Sequence, residues 1–190
     1  MLEQAYRSGT HRPGLDDLPP SQLLAQVPDA AIADLLAVTR ILAGDGGGQL
    51  AALGSPAILA PMFVEHWADG DLILGGTLVD CKVTKDPAFK PEAFHQVLAY
   101  TLLDYGNWYD LDAVGIYLAR QGRLVRWPLE LILTATGDPH VTIAELREEF
   151  SEVLYAAFGP PLFHRWSVLP PSEPIRSAAF WPLSSGRKLG

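Results

Sequence analysis

The segment "DGDLILGGTLVDCKVTK", residues 69–85, sets two apolar runs on either side of Gly75-Gly76. Two glycines between runs of Leu, Ile, Val and Thr read as a two-residue hairpin turn, because the favoured turns need positive φ and glycine reaches it without steric cost. Such a turn sets the register. Leu74 opposes Thr77, Ile73 opposes Leu78, Leu72 opposes Val79, Asp71 opposes Asp80 and Asp69 opposes Lys82. Opposite residues on antiparallel strands share a face with their Cβ atoms about 5 Å apart, so Asp71 and Asp80 would either share a divalent cation or repel. Alternation adds Lys82 and Thr84 to that face and sends Val79, Cys81 and Val83 to the other, toward the expected core. A hairpin with one face in water carries the same residue types, and spacing alone fits a solvated edge more simply than a metal site.

Around the hairpin, "APMFVEHWADGDLIL", residues 60–74, reads as the strand leading in, and "TLVDCKVT", residues 77–84, as the strand leading out. "PEAFHQVLAYTLLDY", residues 91–105, opens with Pro91 in a first-turn position and repeats apolar residues at Phe94, Val97, Leu98, Leu102 and Tyr105, which predicts a helix. "AVGIYLA" and "LVRWPLEL" flank Arg120-Gln121-Gly122-Arg123 and read as a second hairpin. A last helix follows from Thr142, with Glu145 at the capping-box spacing. Upstream, "DAAIADLLAVTRIL" predicts a helix from Asp29, with the aspartate able to cap its first turn. The run Gly44–Gly48, "GDGGG", should end it in a flexible loop. Helices interleaved with strands in this order predict an α/β or α+β fold with a central mixed sheet flanked by helices. Residues 1–28 read as a loose arm, 29–159 as one domain, and 160–190 as a Pro-rich irregular tail whose Phe163, Trp166, Phe180 and Trp181 could dock elsewhere.

The chain has 190 residues, 48% of them apolar, enough for one domain with a real core. Fourteen basic against twenty-two acidic residues give a net charge of -8, so a polyanion would have to meet a local basic patch or a basic partner. The single cysteine, Cys81, forms no internal disulfide, the amino terminus lacks the apolar core of a signal peptide, and the longest apolar run is broken by Gly and Pro. A cytoplasmic protein without a membrane span is therefore expected. His11, His66, His95, His140 and His164 show no paired ligand spacing, which speaks against structural zinc. "GDGGG" also lacks the Lys-Ser/Thr ending of a phosphate-binding loop.

Asp71 on one strand, Asp80-Cys81-Lys82 on the next and Gln96-Val97-Leu98-Ala99-Tyr100 on the following helix resemble, in order and spacing, the PD-(D/E)xK nuclease superfamily and specifically its RecB-like branch. The resemblance runs from about Asp29 to Leu129. It implies a restriction-endonuclease-like core and hydrolysis of phosphodiester bonds in DNA with Mg²⁺ or Mn²⁺. By the same resemblance Asp71 and Asp80 would be metal ligands, the backbone carbonyl of Cys81 a further one, and Lys82 the group that orients or activates the attacking water. Gln96 and Tyr100 would form the substrate-side helix motif. An additional ligand would fall to Glu65, His66 or Asp69, and Glu65 and Asp69 share the Asp71 face only if the strand passes Gly70 without a bulge.

The residue types suit that chemistry, since Mg²⁺ prefers carboxylate and carbonyl oxygens and keeps waters, and a nearby ammonium favours hydroxide and developing phosphate charge. Gln96 and Tyr100 at i and i+4 also fit an ordinary packing pair, and Pro28-Asp29 reads as a helix cap rather than as part of the motif. Lys82, Lys85 and Lys90, with Arg120, Arg123 and Arg126, could give DNA a local contact. So few basic residues point to action beside a helicase or another DNA-binding protein. Two other readings keep the same elements: a catalytically inactive nuclease-fold binding or assembly module with a protein partner, and a metal enzyme for a smaller phosphorylated substrate.

Overall fold

A computed structural model of the chain describes residues 19, 21–22, 25, 27–64, 68–88, 90–135 and 140–158. Most of the expected arm, Glu65, His66 and the tail from 160 to 190 lie outside the described residues. The elements are α1 (Asp29–Ala43), α2 (Asp45–Ala51), β1 (Ala57–Leu59), β2 (Met62–Val64), β3 (Ala68–Asp69), β4 (Leu72–Leu74), β5 (Thr77–Lys82), α3 (Pro91–Leu103), β6 (Ala113–Leu118), β7 (Arg123–Pro128), α4 (Leu129–Ala135) and α5 (Ile143–Phe158). The chain parts into two compact units between Arg40 and Ile41, inside α1. In the first unit α1 carries Asp29 in its first turn, and Thr39 Oγ1 donates to the Leu35 carbonyl at 2.9 Å.

The second unit is α+β. Its sheet has five strands in the order β1-β4-β5-β6-β7, and β2 and β3 form a separate two-stranded sheet. β4 runs antiparallel to both its neighbours, β1 and β5, β6 runs parallel to β5, and β7 returns antiparallel to β6. A parallel neighbour requires a long crossover, and α3 supplies it. The hairpin register is the expected one, with Leu72 opposite Val79, Ile73 opposite Leu78 and Leu74 opposite Thr77. Both turn glycines have positive φ, +50° and +80°, and a Cβ on Gly75 would collide with the Leu53 carbonyl.

Both faces of β5 are buried: Leu78 is 1%, Val79 0% and Asp80 5% exposed. The face carrying Leu78, Asp80 and Lys82 lies under α3, where Val97 joins Leu78 and Val114 in the main apolar cluster. A solvated edge is thereby excluded, and the expected burial of the other face holds for Val79, while the crossover helix covers the charged face as well. Burying one side chain of the Val97 type contributes about 1.5–3 kcal/mol. Cys81 is half-buried, and Val83, past the end of the strand, is exposed.

Three further local expectations fail for identifiable reasons. "GDGGG" is not a loop; α2 passes through it, because glycine is needed where the helix meets the β6–β7 turn. A Cβ on Gly46 would stand 2.8 Å from the Tyr117 hydroxyl and 2.9 Å from Gly122 Cα. Gln49 ties the contact by donating to the Gly122 carbonyl at 2.6 Å and accepting from Leu124 N–H at 3.1 Å. Residues 60–74 do not form one strand: Gly70 N–H turns to the Pro61 carbonyl at 2.8 Å and Ala60 N–H to the Asp71 carbonyl at 3.0 Å, so β2, β3 and β4 are separate. Leu129–Leu131 begin α4 rather than extending β7, with Leu129 N–H donating to the Asp112 carbonyl at 2.9 Å. The capping box at α5 forms as expected, with Thr142 N–H donating to Glu145 Oε2 at 2.8 Å and Glu145 N–H to Thr142 Oγ1 at 3.2 Å.

Candidate active site

Strand periodicity places Asp80 and Lys82 two residues apart on the α3 face of β5. They form an ion pair of 2.8 Å, with the Asp80 side chain 7% and the Lys82 side chain 31% exposed. Lys82 Nζ also donates to Gln96 Oε1 at 2.9 Å, and Gln96 Nε2 donates to the Tyr100 hydroxyl at 3.0 Å. Helical spacing puts these last two on one flank of α3, one turn apart. Tyr100 stacks on Phe63, with ring centroids 5.6 Å apart and planes 9° from parallel, and Phe63 meets the Tyr109 ring edge-on at 5.3 Å. The Lys82 ammonium is thus braced from strand to helix to aromatic core.

Asp71, one residue ahead of β4, accepts the Cys81 N–H through Oδ2 at 2.6 Å. In a strand the N–H and C=O of one residue face the same neighbour, so the Cys81 carbonyl turns toward the Asp71 edge. The Lys82 carbonyl faces the other way and accepts from Ala119 N–H at 3.0 Å. Asp71, Cys81, Asp80, Lys82, Gln96 and Tyr100 therefore form one connected set at the end of β5.

Burial pushes the Asp80 carboxyl above its ordinary range, Lys82 opposes the shift, and the Asp71 charge adds to it. The Lys82 ammonium stands 2.8 Å from Asp80 Oδ2, and its hydrogen bond and charge oppose the shift without cancelling the burial. A desolvated carboxylate with a single ammonium beside it favours a proton or a further cation on its remaining lone pairs. Burial, followed by the Asp71 and Asp80 charges, pushes the Cys81 thiol up to about 12, so at neutral pH it is neither a thiolate nucleophile nor a thiolate ligand.

Among the described residues no three His, Cys, Asp or Glu side chains converge on one point. The donors present are two carboxylates and a backbone carbonyl, hard oxygen ligands that suit Mg²⁺ or Mn²⁺ with water completing the shell. A hollow of about 380 Å³ opens beside Lys82, bounded by Thr84, Lys90, Glu92 and Gln96. A larger one, about 630 Å³, lies between the loop after α3 and the first half of α5 and touches none of the carboxylates discussed here.

Asp69 is not brought to the site. It is exposed on β3, in the two-stranded sheet, because the break at Gly70 ends the continuous strand that would have aligned it with Asp71. Lys90 reaches the rim and Lys85 is exposed nearby, while Arg120 Nε donates to the Val83 carbonyl at 3.4 Å. Arg126 lies on the opposite face of the sheet, bonded to Thr77 Oγ1 at 3.0 Å and Asp112 Oδ1 at 3.2 Å. Phe63 and the buried Arg147 escape sequence reading, since one lies on a two-strand ribbon and the other at a helix position with no local marker. No family model, no curated protein and no solved structure matches the chain.

Proposed function

We propose that the chain is a metal-dependent nuclease of the RecB-like PD-(D/E)xK class, built on a restriction-endonuclease-like core and hydrolysing phosphodiester bonds in DNA. The observation that carries this reading is the bracing of one lysine, Lys82, by the Asp80 carboxylate at 2.8 Å and the Gln96 amide at 2.9 Å, with the Cys81 N–H tied to Asp71 beside it. Asp71, Asp80 and the Cys81 carbonyl would hold Mg²⁺ or Mn²⁺. When bound, such an ion supplies Lewis acidity and an acidified water.

Around it the chain's own groups have separate tasks. Asp80 keeps an ammonium beside a largely apolar wall, and Gln96 turns that ammonium toward the open hollow, where it can hold a water or a non-bridging phosphate oxygen. Tyr100 fixes Gln96, and Phe63 fixes Tyr100. With a net charge of -8, strand contact rests on Lys82, Lys85 and Lys90 and on a DNA-binding partner such as a helicase.

The test is cleavage of labelled single- and double-stranded DNA with Mg²⁺ or Mn²⁺. Wild type is expected to cut and Asp80→Ala and Lys82→Ala to lose cutting; undiminished cleavage in both variants would reject this site.

A further inference from the structure

The hollow of about 630 Å³ beside α5 plays no part in holding Lys82 or the carboxylates. Phe63 and Leu103 form one side, Trp108 stands at its mouth, and Arg147 and Glu148 come from α5. The loop that presents Trp108 is firmly tied. Asp104 accepts the Trp108 N–H at 2.9 Å and the Tyr109 N–H at 3.4 Å, and Arg147 bonds Asp104 at 3.4 Å, Asn107 Oδ1 at 2.9 Å and the Thr101 carbonyl at 3.2 Å. Gly106 leaves the space that the indole fills, since a Cβ there would run into the ring. The outcome of this bracing is a fixed backbone that carries an indole over Gly106, with Trp108 still 43% exposed.

An exposed aromatic fixed at the mouth of a cavity with an aromatic opposite wall is prepared for stacking, because little side-chain freedom remains to be lost on binding. The polar groups narrow the class of occupant. The Arg147 guanidinium already bonds Asp104, Asn107 and Thr101, and Glu148 adds a negative charge, so the lining disfavours phosphate. The Glu148 carboxylate instead suits a flat ring with N–H groups on its edge. The volume also falls in the range of about 300–1,000 Å³ usual for small-ligand sites.

Building on the nuclease reading, we propose that this hollow receives one unstacked nucleobase of a single-stranded DNA whose backbone passes Lys82. A relay of contacts joins the two places: Phe63 lines the hollow and stacks on Tyr100, whose hydroxyl is bonded to the Gln96 that holds Lys82.

The experiment uses the full chain, a short fluorescent single-stranded DNA, and the same strand carrying abasic sugars, with Ca²⁺ replacing Mg²⁺ during binding and Mg²⁺ restored for a parallel cleavage assay. The intact strand should bind more tightly than the abasic one. Trp108→Ala should weaken the intact strand by about 5- to 100-fold and abolish the difference, whereas Trp108→Phe should retain most of it. Thermal unfolding checks that both variants fold. If wild type cuts DNA yet binds the two strands alike, the base site is overturned and the nuclease reading stands. Base-dependent binding through Trp108 without cutting has the opposite meaning. Failure to bind either strand would show that no base occupies the hollow.

Discussion

The two ends of α3 each hold a buried carboxylate beside a cation, and they are finished differently. At the C-terminal end the Asp104 side chain is 0% and Arg147 6% exposed, and Asp104 receives two backbone N–H groups as well as the guanidinium. Nearer the N-terminal half, where Lys82 meets Gln96, Asp80 is 7% and Lys82 31% exposed, so the cation of this pair is partly open to water. Burial pushes both carboxyls above their ordinary range. One network is closed and the other is left partly open, which is the difference between a charge that ties elements together and a charge kept for a ligand.

Breaking the closed network should have the largest effect. Arg147→Ala leaves Asp104 buried without its cation and is expected to cost about 3–5 kcal/mol of stability in urea unfolding. The pair Asp104→Leu with Arg147→Met, which removes both charges, should restore much of that loss. A loss below about 1 kcal/mol in the single variant would mean that the ion pair ties nothing together.

At the open end the expectation reverses. Asp80→Asn removes a poorly satisfied buried charge while keeping shape, so stability should hold or rise by about 1 kcal/mol, as when strain kept for function is relieved. Cleavage should fall by about 100-fold or more. Stability and activity measured on the same preparation check this, and a variant that is both active and unstable would assign Asp80 to the scaffold.

Which parts of this contrast could be read in the chain follows from how locally each was encoded. The Gly75-Gly76 turn sets register within a few residues, and the i, i+4 pair Gln96–Tyr100 follows from helix geometry, so the pairing of Leu72–Leu74 with Thr77–Val79 and the shared face of Asp80 and Lys82 were legible in the chain. Burial of the charged face was not, because it depends on which side of the sheet the α3 crossover takes. The helix through Gly44–Gly48 depends on Tyr117 and Gly122, some seventy residues away, where close approach outweighs the poor helix propensity of glycine. Arg147 depends on Asp104 in the same way: a helix-face arginine looks solvent-bound until a partner from another element seals it.

The pH dependence of stability sharpens the same contrast with a smaller effect. A carboxyl whose folded pKa lies above its ordinary 3.8 contributes stability that is fully present below 3.8 and lost as pH rises through the folded value. Asp80→Asn lacks that loss, so its advantage over wild type should be small near pH 4, grow as pH rises toward the folded value of Asp80 and level off above it, with a slope of no more than about 1.4 kcal/mol per pH unit for one proton. Asp104→Asn should gain no such advantage, since it gives up charge-assisted bonds to Trp108, Tyr109 and Arg147. Cleavage should rise with pH over the window in which the Asp80 contribution to stability falls, because metal binding needs the ionised carboxylate. Urea midpoints and initial rates from pH 4 to pH 8 would show the two trends; parallel trends would separate Asp80 from the metal.

The smallest effect belongs to Gln96. Gln96→Ala removes the acceptor of Lys82 Nζ and the donor to Tyr100, but Lys82 is partly open to water and Tyr100 keeps its stack on Phe63. A bond that water can replace is worth about 0.5–1.5 kcal/mol, so a loss of about 1 kcal/mol is expected. The ammonium would then swing on an unbranched stem, and cleavage should slow by about tenfold through kcat, with KM little changed, because the lost contact positions a reacting group rather than gripping the strand. Tyr100→Phe, which keeps the ring and its stack, should fall between wild type and Gln96→Ala in both measurements. If Gln96→Ala instead costs more than about 3 kcal/mol, as breaking a sealed pair would, then the Lys82 network is as closed as that of Arg147. The distinction between the two ends of α3 would then have no energetic basis.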